Sequence, residues 1–363
     1  MFFFKKSFTA IDIGSSCIKV VRMKENRGSV KVLEQGYTKL PEETIVDGEV
    51  RDISVLTSEI KYLFNEMNFK PSSIVTAVPN QNLVIRNVNL PGVVVDELDD
   101  ALKWEAEDYL PFPAEEAVLD YIIVDEKEDS VKIVLVATQS LLLHSYKELF
   151  SRLNFNLSVV NVQPLGIFSL LEAENKDFST SAIIDIGSSG SRITIGDPEG
   201  IYLYRTMDVG GANFTEVIKE NMSVDFQEAE EYKIEHGILS ALEEAAASRE
   251  DNINEEELDI LQYSETGSLD ELLLSTADDL VYELNRSLEF FNRNNPEKEI
   301  ENYYLTGGGA LLKGLSDFLE DEMDLSLQFL DPFTRIKDKN NSSLNNTCYS
   351  VALGLGFSEV LSD

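Results

Sequence analysis

TAIDIGSSCIKVV occupies residues 9–21, and SAIIDIGSSGSRITI follows at residues 181–195. In each copy, apolar and polar positions alternate on both sides of a Gly-Ser-Ser break, the pattern of a β-hairpin closed by a tight turn. Aligning Asp12 with Asp185 also matches Gly14 with Gly187, Ser15 with Ser188 and Ser16 with Ser189, and it sets Lys19 opposite Arg192. These residue types suit an anion. Glycine lets backbone N–H groups approach closely, serine adds hydroxyl donors, and an aspartate ahead of the turn can hold a hydrated magnesium ion. A single such turn is an ordinary hairpin. Two of them, with an aspartate at the same place, imply two lobes gripping one polyphosphate.

A third glycine element lies downstream. ENYYLTGGGALLKGLSDFL, residues 301–319, reads as a strand, three glycines and a helix. Gly307, Gly308 and Gly309 would let the chain pass flat against a ring or a sugar-phosphate, with a helix N-terminus behind them favouring negative charge.

The whole chain bounds the rest. Its 363 residues suggest two or three domains. The formal net charge is −36, from 66 acids against 30 bases. Such a surface repels nucleic-acid backbones and suits either plain solubility or a basic peptide partner. No apolar run approaches the ~18 residues of a membrane span. MFFFKKSF is too short for a secretory leader, and Phe2, Phe3 and Phe4 are expected to dock onto the first strand. Cys17 and Cys348 form no framework of spacings, which fits a reducing compartment, the cytoplasm. His144 and His236 stand without ligand spacing around them, so no zinc site is expected.

Along the chain, VKVLEQGYTKL (30–40) predicts a third strand, and Leu56, Ile60, Leu63, Phe64 and Met67 predict a helix. IVTAVP (74–79) is a further strand. From residue 82 the character changes. NLVIRNVNLP is a strand, Asp96 is placed to cap a helix that Pro111 stops, LDYIIVDE and VKIVLVAT are strands, and SLLLHSYKELFSRL (140–153) is amphipathic. Strand, helix, two strands and helix make a small α+β unit inserted in the first lobe. IYLYRTMDVGGANFT (201–215) gives a strand and a Gly-Gly turn, followed by helical sequence to about His236. Residues 240–271 are acidic and weakly periodic, expected as loop or irregular helix. Leu280, Leu284, Leu288 and Phe291 mark a helix, KDKNNSSLNNT (337–347) a solvated loop, and VALGLGF closes the chain.

Together these segments resemble the actin-like ATPase superfamily. AIDIGSSCIK is similar to its first phosphate segment, IIDIGSSGSR to its second, and LTGGGALLKG to its adenosine segment. NVQPLGIFSLL (161–171) and ALGLGF (352–357) are similar to its two interlobe helices. Within it, NLPGVVVDELDDALKWEAEDYLPFP and VYELNRSLEFF resemble the PilM family of type IV pilus assembly proteins, which shares its inserted subdomain with FtsA. The resemblance implies an α/β, actin-like ATPase fold: two duplicated ribonuclease-H-like lobes, with a small α+β (SHS2-type) subdomain inserted in the first. The first lobe would comprise residues 1–81 and 155–180, and the insert 82–154. The second lobe would comprise 181–212 and 302–363, with a helical subdomain at 213–301.

The resemblance also implies ATP and magnesium. Asp12 and Asp185 would hold magnesium through water and orient the attacking water. Ser15, Ser16, Cys17 and Lys19, with Gly14, would form one phosphate clamp. Gly187, Ser188, Ser189 and Gly190 would form the other, and Gly210 and Gly211 would approach the γ-phosphate. Gly307, Gly308 and Gly309 would lie along the ribose, and Glu230 and Lys233 would reach the adenosine. Gln163 would orient water, but an amide is a weak base, so slow or no hydrolysis is expected. The implied partner is the cytoplasmic N-terminal peptide of a PilN-like inner-membrane protein, in a groove near Leu90, Trp104 and Tyr109. Pilus platform proteins, assembly ATPases and self-association are further partner expectations, with no transmembrane segment and no nucleic acid. The protein would be cytoplasmic, held at the inner membrane by its partner. An FtsA-like division filament and a small-molecule kinase of the same superfamily are the alternatives.

Overall fold

The computed structural model describes residues 7–25, 30–46, 48–71, 73–78, 83–127, 129–174, 177–239, 268–332 and 346–361. Phe2 to Phe4, residues 240–267 of the expected 240–271 loop and residues 337–345 of the expected 337–347 loop lie outside the described residues; the described ends of those stretches begin a helix at Leu269 and a 3-10 turn at Asn346.

The first repeat folds as β1 (Ser7–Ile13) and β2 (Cys17–Glu25), followed by β3 (Val30–Lys39). A short hairpin, β4 (Ile45–Val46) with β5 (Glu49–Val50), leads into α1 (Ile53–Glu66). Asp52 caps α1 by accepting the N–H groups of Ser54 and Val55, a contact that satisfies two otherwise orphan donors. Then come β6 (Ile74–Val78), β7 (Val84–Pro91), α2 (Leu98–Glu105), β8 (Ala117–Lys127), β9 (Ser130–Gln139), α3 (Ser140–Leu153), β10 (Leu157–Val162) and α4 (Gln163–Glu174). The second repeat folds as β11 (Ser181–Ile186), β12 (Ser191–Asp197) and β13 (Gly200–Met207). It continues through α5 (Gly211–Met222), α6 (Phe226–His236), α7 (Leu269–Asn294), β14 (Asn302–Thr306), α8 (Leu315–Met323), β15 (Leu327–Phe329) and α9 (Ser350–Leu361).

The duplication extends from the hairpins to whole sheets. The first sheet has the order β10-β6-β1-β2-β3 and the second β13-β12-β11-β14-β15. In both, the hairpin strands pair antiparallel and the later strands add in parallel on the other side. Each sheet is covered on both faces, so its central strands β1 and β11 are buried along almost their whole length. On β1, Ile11 and Ile13 face α1 and α3, whereas Phe8 and Ala10 face the pair α4 and α9. On β11, Ala182, Ile184 and Ile186 face the second lobe's helices, and Ile183 joins the α4/α9 side. Because alternate residues share a face, Asp12 follows Phe8 and Ala10 inward, and Asp185 follows Ile183.

The inserted unit is a three-stranded sheet, β7-β9-β8, with α2 on one face. Val88, Leu90, Leu98, Leu102, Ile133 and Leu135 form its own core. The helix at 140–153, expected in the insert, packs Tyr146, Leu149, Phe150 and Leu153 against Ile11, Leu56 and Ile60 of the first lobe, and Leu142 and Leu143 beside the insert's Ile85 and Val134. One expectation changes here. Asp96 sits inside a 3-10 turn, Val95–Glu97, rather than at the helix cap. The N-cap position of that turn is Val94, which makes no side-chain cap.

Candidate functional site

The two hairpin turns face each other across a cleft of about 340 Å³ between the lobes. Both turns close alike. Gly14 N donates to Cys17 O at 3.0 Å, and Gly187 N donates to Gly190 O at 3.0 Å. Asp12 is the cross-strand partner of Lys19, and Asp185 that of Arg192. Lys19 Nζ lies 3.1 Å from Asp12 Oδ2, and Arg192 Nη1 lies 3.3 Å from Asp185 Oδ2. The aspartates are 4% and 8% exposed, so each buried carboxylate needs such a partner. Burial pulls the Lys19 ammonium down, but attraction to Asp12 outweighs it and holds the amine above its ordinary range. Lys19 is therefore a fixed cation at the mouth of the first turn.

Gln163 is the first residue of α4, and its Nε2 donates to Asp12 Oδ1 at 3.4 Å. The start of the first interlobe helix is thus tied to the first aspartate. On the other side, Thr306 Oγ1 lies 3.1 Å from Thr347 O and 2.7 Å from Ser350 Oγ. That contact ties the end of β14 to the start of α9, so both helices begin at the cleft.

Sixteen of the residues expected from the sequence line this one cavity: Asp12, Gly14, Ser15, Ser16, Cys17, Lys19, Gln163, Asp185, Gly187, Ser188, Gly211, Glu230, Lys233, Gly307, Gly308 and Gly309. Ser189, Gly190 and Gly210 do not line it. Gly210 backs the second turn. A Cβ there would sit 2.5 Å from Gly190 N and from Ser188 O. Gly211 N and Ala212 N donate to the carbonyls of Gly187 and Ser188, both at 2.9 Å, so the start of α5 braces the second hairpin turn with its own amides. Lys233 Nζ reaches Gly211 O, Thr215 Oγ1 and Glu230 Oε2 at 3.0, 2.8 and 2.6 Å. Those contacts engage all three of its donors. Lys233 thus anchors α6 to α5, while burial lowers its basicity.

The third glycine element departs from expectation in one respect. Behind the glycines comes a 3-10 turn, Gly309–Leu311, and α8 starts only at Leu315, after Gly314 in left-handed conformation (φ 84°). No α-helix N-terminus stands directly behind the three glycines. Gly307 itself has φ 91°, and a side chain there would overlap Ile186 O and Asp185 Oδ1. The residue lets β14 turn directly over the second aspartate.

Arg192, Thr306, Ser350 and Cys348 also line the cavity. Arg192 was readable from the repeat as the counterpart of Lys19; Ser350 and Cys348 carry no local signal, because α9 arrives there only through tertiary packing. Of the expected peptide-groove residues, Leu90 is fully buried in the insert's own core and cannot touch a peptide. Tyr109 is half-buried beside that core. The side chain of Trp104 lies outside the described residues.

Comparison with known proteins now places the chain. The family model described as "Type IV pilus assembly protein PilM" matches residues 10–245, more than half the chain, and that for "Cell division protein FtsA" matches residues 182–354. Cell division protein FtsA of Bacillus subtilis (strain 168) is 21% identical over 376 residues, covering 96% of this chain and 82% of that protein. Among solved structures, the PilM-PilN type IV pilus biogenesis complex superposes with a TM-score of 0.79 at 24% identity, covering 98% of this chain and 99% of that one. MreB5 of Spiroplasma citri bound to AMPPNP superposes at 0.56 and 13% identity, covering 98% and 97%. These likenesses show the actin-like ATPase fold. No helix among the described residues is long and apolar enough to cross a membrane. With the family match spanning the first hairpin, the insert and the second hairpin, the chain belongs to the type IV pilus assembly protein PilM family.

Proposed function

We propose that this chain is an ATP-binding assembly protein of a type IV pilus machine, which binds the cytoplasmic N-terminal peptide of a PilN-like inner-membrane protein. The observation that carries the nucleotide reading is the pair of matched carboxylate–cation contacts, Asp12–Lys19 and Asp185–Arg192, facing one cavity from two lobes. Such a constellation suits a phosphate chain with a divalent ion between two clamps. Among the described residues no group of three or more His, Cys, Asp or Glu could enclose a metal. That donor set fits magnesium, which keeps several waters and leans on one or two carboxylates plus phosphate oxygens. Asp12 and Asp185 would hold the hydrated ion, which when bound neutralises phosphate charge.

In this reading Gly14, Ser15, Ser16 and Lys19 clasp the phosphates from the first lobe, and Gly187 and Ser188 from the second. Gly307, Gly308 and Gly309 border the sugar, and Glu230 the base. Gln163 orients water but accepts a proton poorly, so turnover is slow or absent. Nucleotide in the MreB5 neighbour supports the ligand, and the PilM-PilN complex neighbour supports the partner. The net charge of −36 suits a peptide with juxtamembrane bases, which would hold the cytoplasmic protein at the inner membrane. Titration calorimetry with Mg-ATP tests the first part. Binding is expected in the native chain and its loss in Asp12→Ala, whereas equal heats from both would overturn the site. Peptides from the amino termini of inner-membrane pilus proteins test the second; no binding with or without nucleotide overturns the partner.

A second reading, an FtsA-like filament, is favoured by the FtsA match over residues 182–354. ATP-dependent pelleting of the purified chain on its own would support it.

A further inference from the structure

The insert and the second lobe enclose a second groove, of about 1110 Å³, which shares no lining residue with the cleft of the glycine turns. Its walls are the start of β7, the segment after α2, β13 and the C-terminal half of α7. Its charge is opposite to the rest of the chain. Four of the eleven arginines in the sequence, Arg86, Arg205, Arg286 and Arg293, line it. Asp108 and Glu289 are the acids among its lining residues. Arg205 is held in place by Glu283 at 2.6 Å, and Arg286 lies 3.7 Å from the same carboxylate. Arg86 and Arg293 are exposed, and neither has an ion-pair partner among the described residues.

Between the arginines the groove is apolar. Phe290 is 56% exposed there, beside Tyr109 and Pro111. The groove therefore offers guanidinium forks for carboxylates and aromatic surface for an apolar side chain.

We propose that this groove binds an acidic peptide segment of a partner protein, one carrying carboxylates on both sides of an apolar or aromatic residue. A single small anion would leave most of its length and the Phe290 face uncovered. A basic segment would be repelled by the arginines. A chain with net charge −36 repels acidic peptides elsewhere, so acid-selective binding would have to be local to this groove. The site joins an element of the first lobe to two of the second, and it goes beyond the PilN-like peptide, whose expected charge is basic.

The test uses the full chain and a short fluorescein-labelled peptide alternating Glu with Leu and Phe, read by fluorescence anisotropy. Saturable binding is expected that weakens with added salt, with none for the counterpart carrying Lys in place of Glu. The double variant Arg86→Glu/Arg293→Glu changes two exposed side chains and should lose about tenfold or more in affinity. Its unchanged thermal unfolding would show that the fold is intact. Equal affinity for the lysine peptide, or undiminished binding by the double variant with an intact fold, would overturn the proposal. So would complete displacement of the peptide by citrate at equal concentration, since the occupant would then be a small anion.

Discussion

Gly354 of α9 lies directly against the carbonyl oxygen of Gly166 in α4, and a methyl group on Gly354 would overlap it. The same crossing sets Gly166 against Leu355, with a Cβ there 3.2 Å from the Leu355 side chain. Both helices start at the cleft, at Gln163 and Ser350, so the crossing fixes how these two cleft-lining ends stand relative to each other.

Gly354→Ala should therefore force the helices apart. Overpacking of this kind costs about 1–3 kcal/mol. The expected outcome is a lower urea midpoint together with weaker Mg-ATP binding in calorimetry. A variant with full stability and native affinity would mean that the crossing does not control the cleft.

The glycines of residues 307–309 should not be equivalent. Gly307→Ala places a side chain on a left-handed residue and onto Ile186 O and the Asp185 carboxylate, so destabilisation with loss of nucleotide binding is expected. At Gly308 the nearest atom to an added Cβ is Cys348 Sγ at 3.8 Å, an ordinary contact, and Gly308→Ala should unfold within a degree or two of the native chain. Differential scanning calorimetry of the two variants separates them.

Removing Lys19 alone should cost more than removing the whole pair. Lys19→Met leaves Asp12 buried with its cation gone, a change typically worth about 3–5 kcal/mol. Lys19→Met/Asp12→Asn removes the stranded charge and should recover a large part of that loss. Urea unfolding of the single and double variants measures it; a double variant less stable than Lys19→Met would show that the pair is not coupled.

A second ion pair predicts the acid limb of stability. Lys298 Nζ lies 2.8 Å from Asp197 Oδ2, and Tyr202 and Thr180 hydroxyls donate to the same carboxylate. Burial pushes the Asp197 carboxyl up, but hydrogen bonds from Lys298, Tyr202, the Glu199 N–H and Thr180 outweigh it and hold it below its ordinary value. A carboxyl lowered by folding stabilises above its unfolded pKa, and that contribution is lost as pH falls through the folded value. Lys298→Met should therefore raise the midpoint of acid unfolding while leaving the shape of the neutral plateau unchanged. Circular dichroism during an acid titration checks it, and an unmoved midpoint would refute the linkage.

Much of this was legible locally. The hairpins at Asp12 and Asp185, the Gly-Gly turn and the three glycines are short-range patterns, because strand alternation and turn chemistry depend on neighbours in sequence. So is the counterpart relation of Lys19 and Arg192, which follows from hairpin register alone. Other features needed the tertiary structure. Local amphipathicity could not show that α3 packs on both units, with Leu142 and Leu143 beside the insert and Tyr146, Leu149 and Phe150 buried against β1 and α1. The helix expected directly behind Gly309 is a local misreading: a 3-10 turn, Gly309–Leu311, comes first, and α8 begins at Leu315 after the left-handed Gly314.

The sequence by itself determined that two hairpins with matched Gly-Ser-Ser turns and aspartates exist, since Asp12–Lys19 and Asp185–Arg192 are each a run of eight consecutive residues. Only the tertiary structure decided that they face one cavity. Inward placement of Asp12 and Asp185 requires each sheet to lay one face on α4 and α9, and the close approach of those helices at Gly166 and Gly354 is a contact between residues far apart in the chain. The arginine groove is decided the same way. Arg86, Arg205, Arg286 and Arg293 are scattered in sequence, and they meet only because β7 of the insert runs beside β13 and α7 of the second lobe.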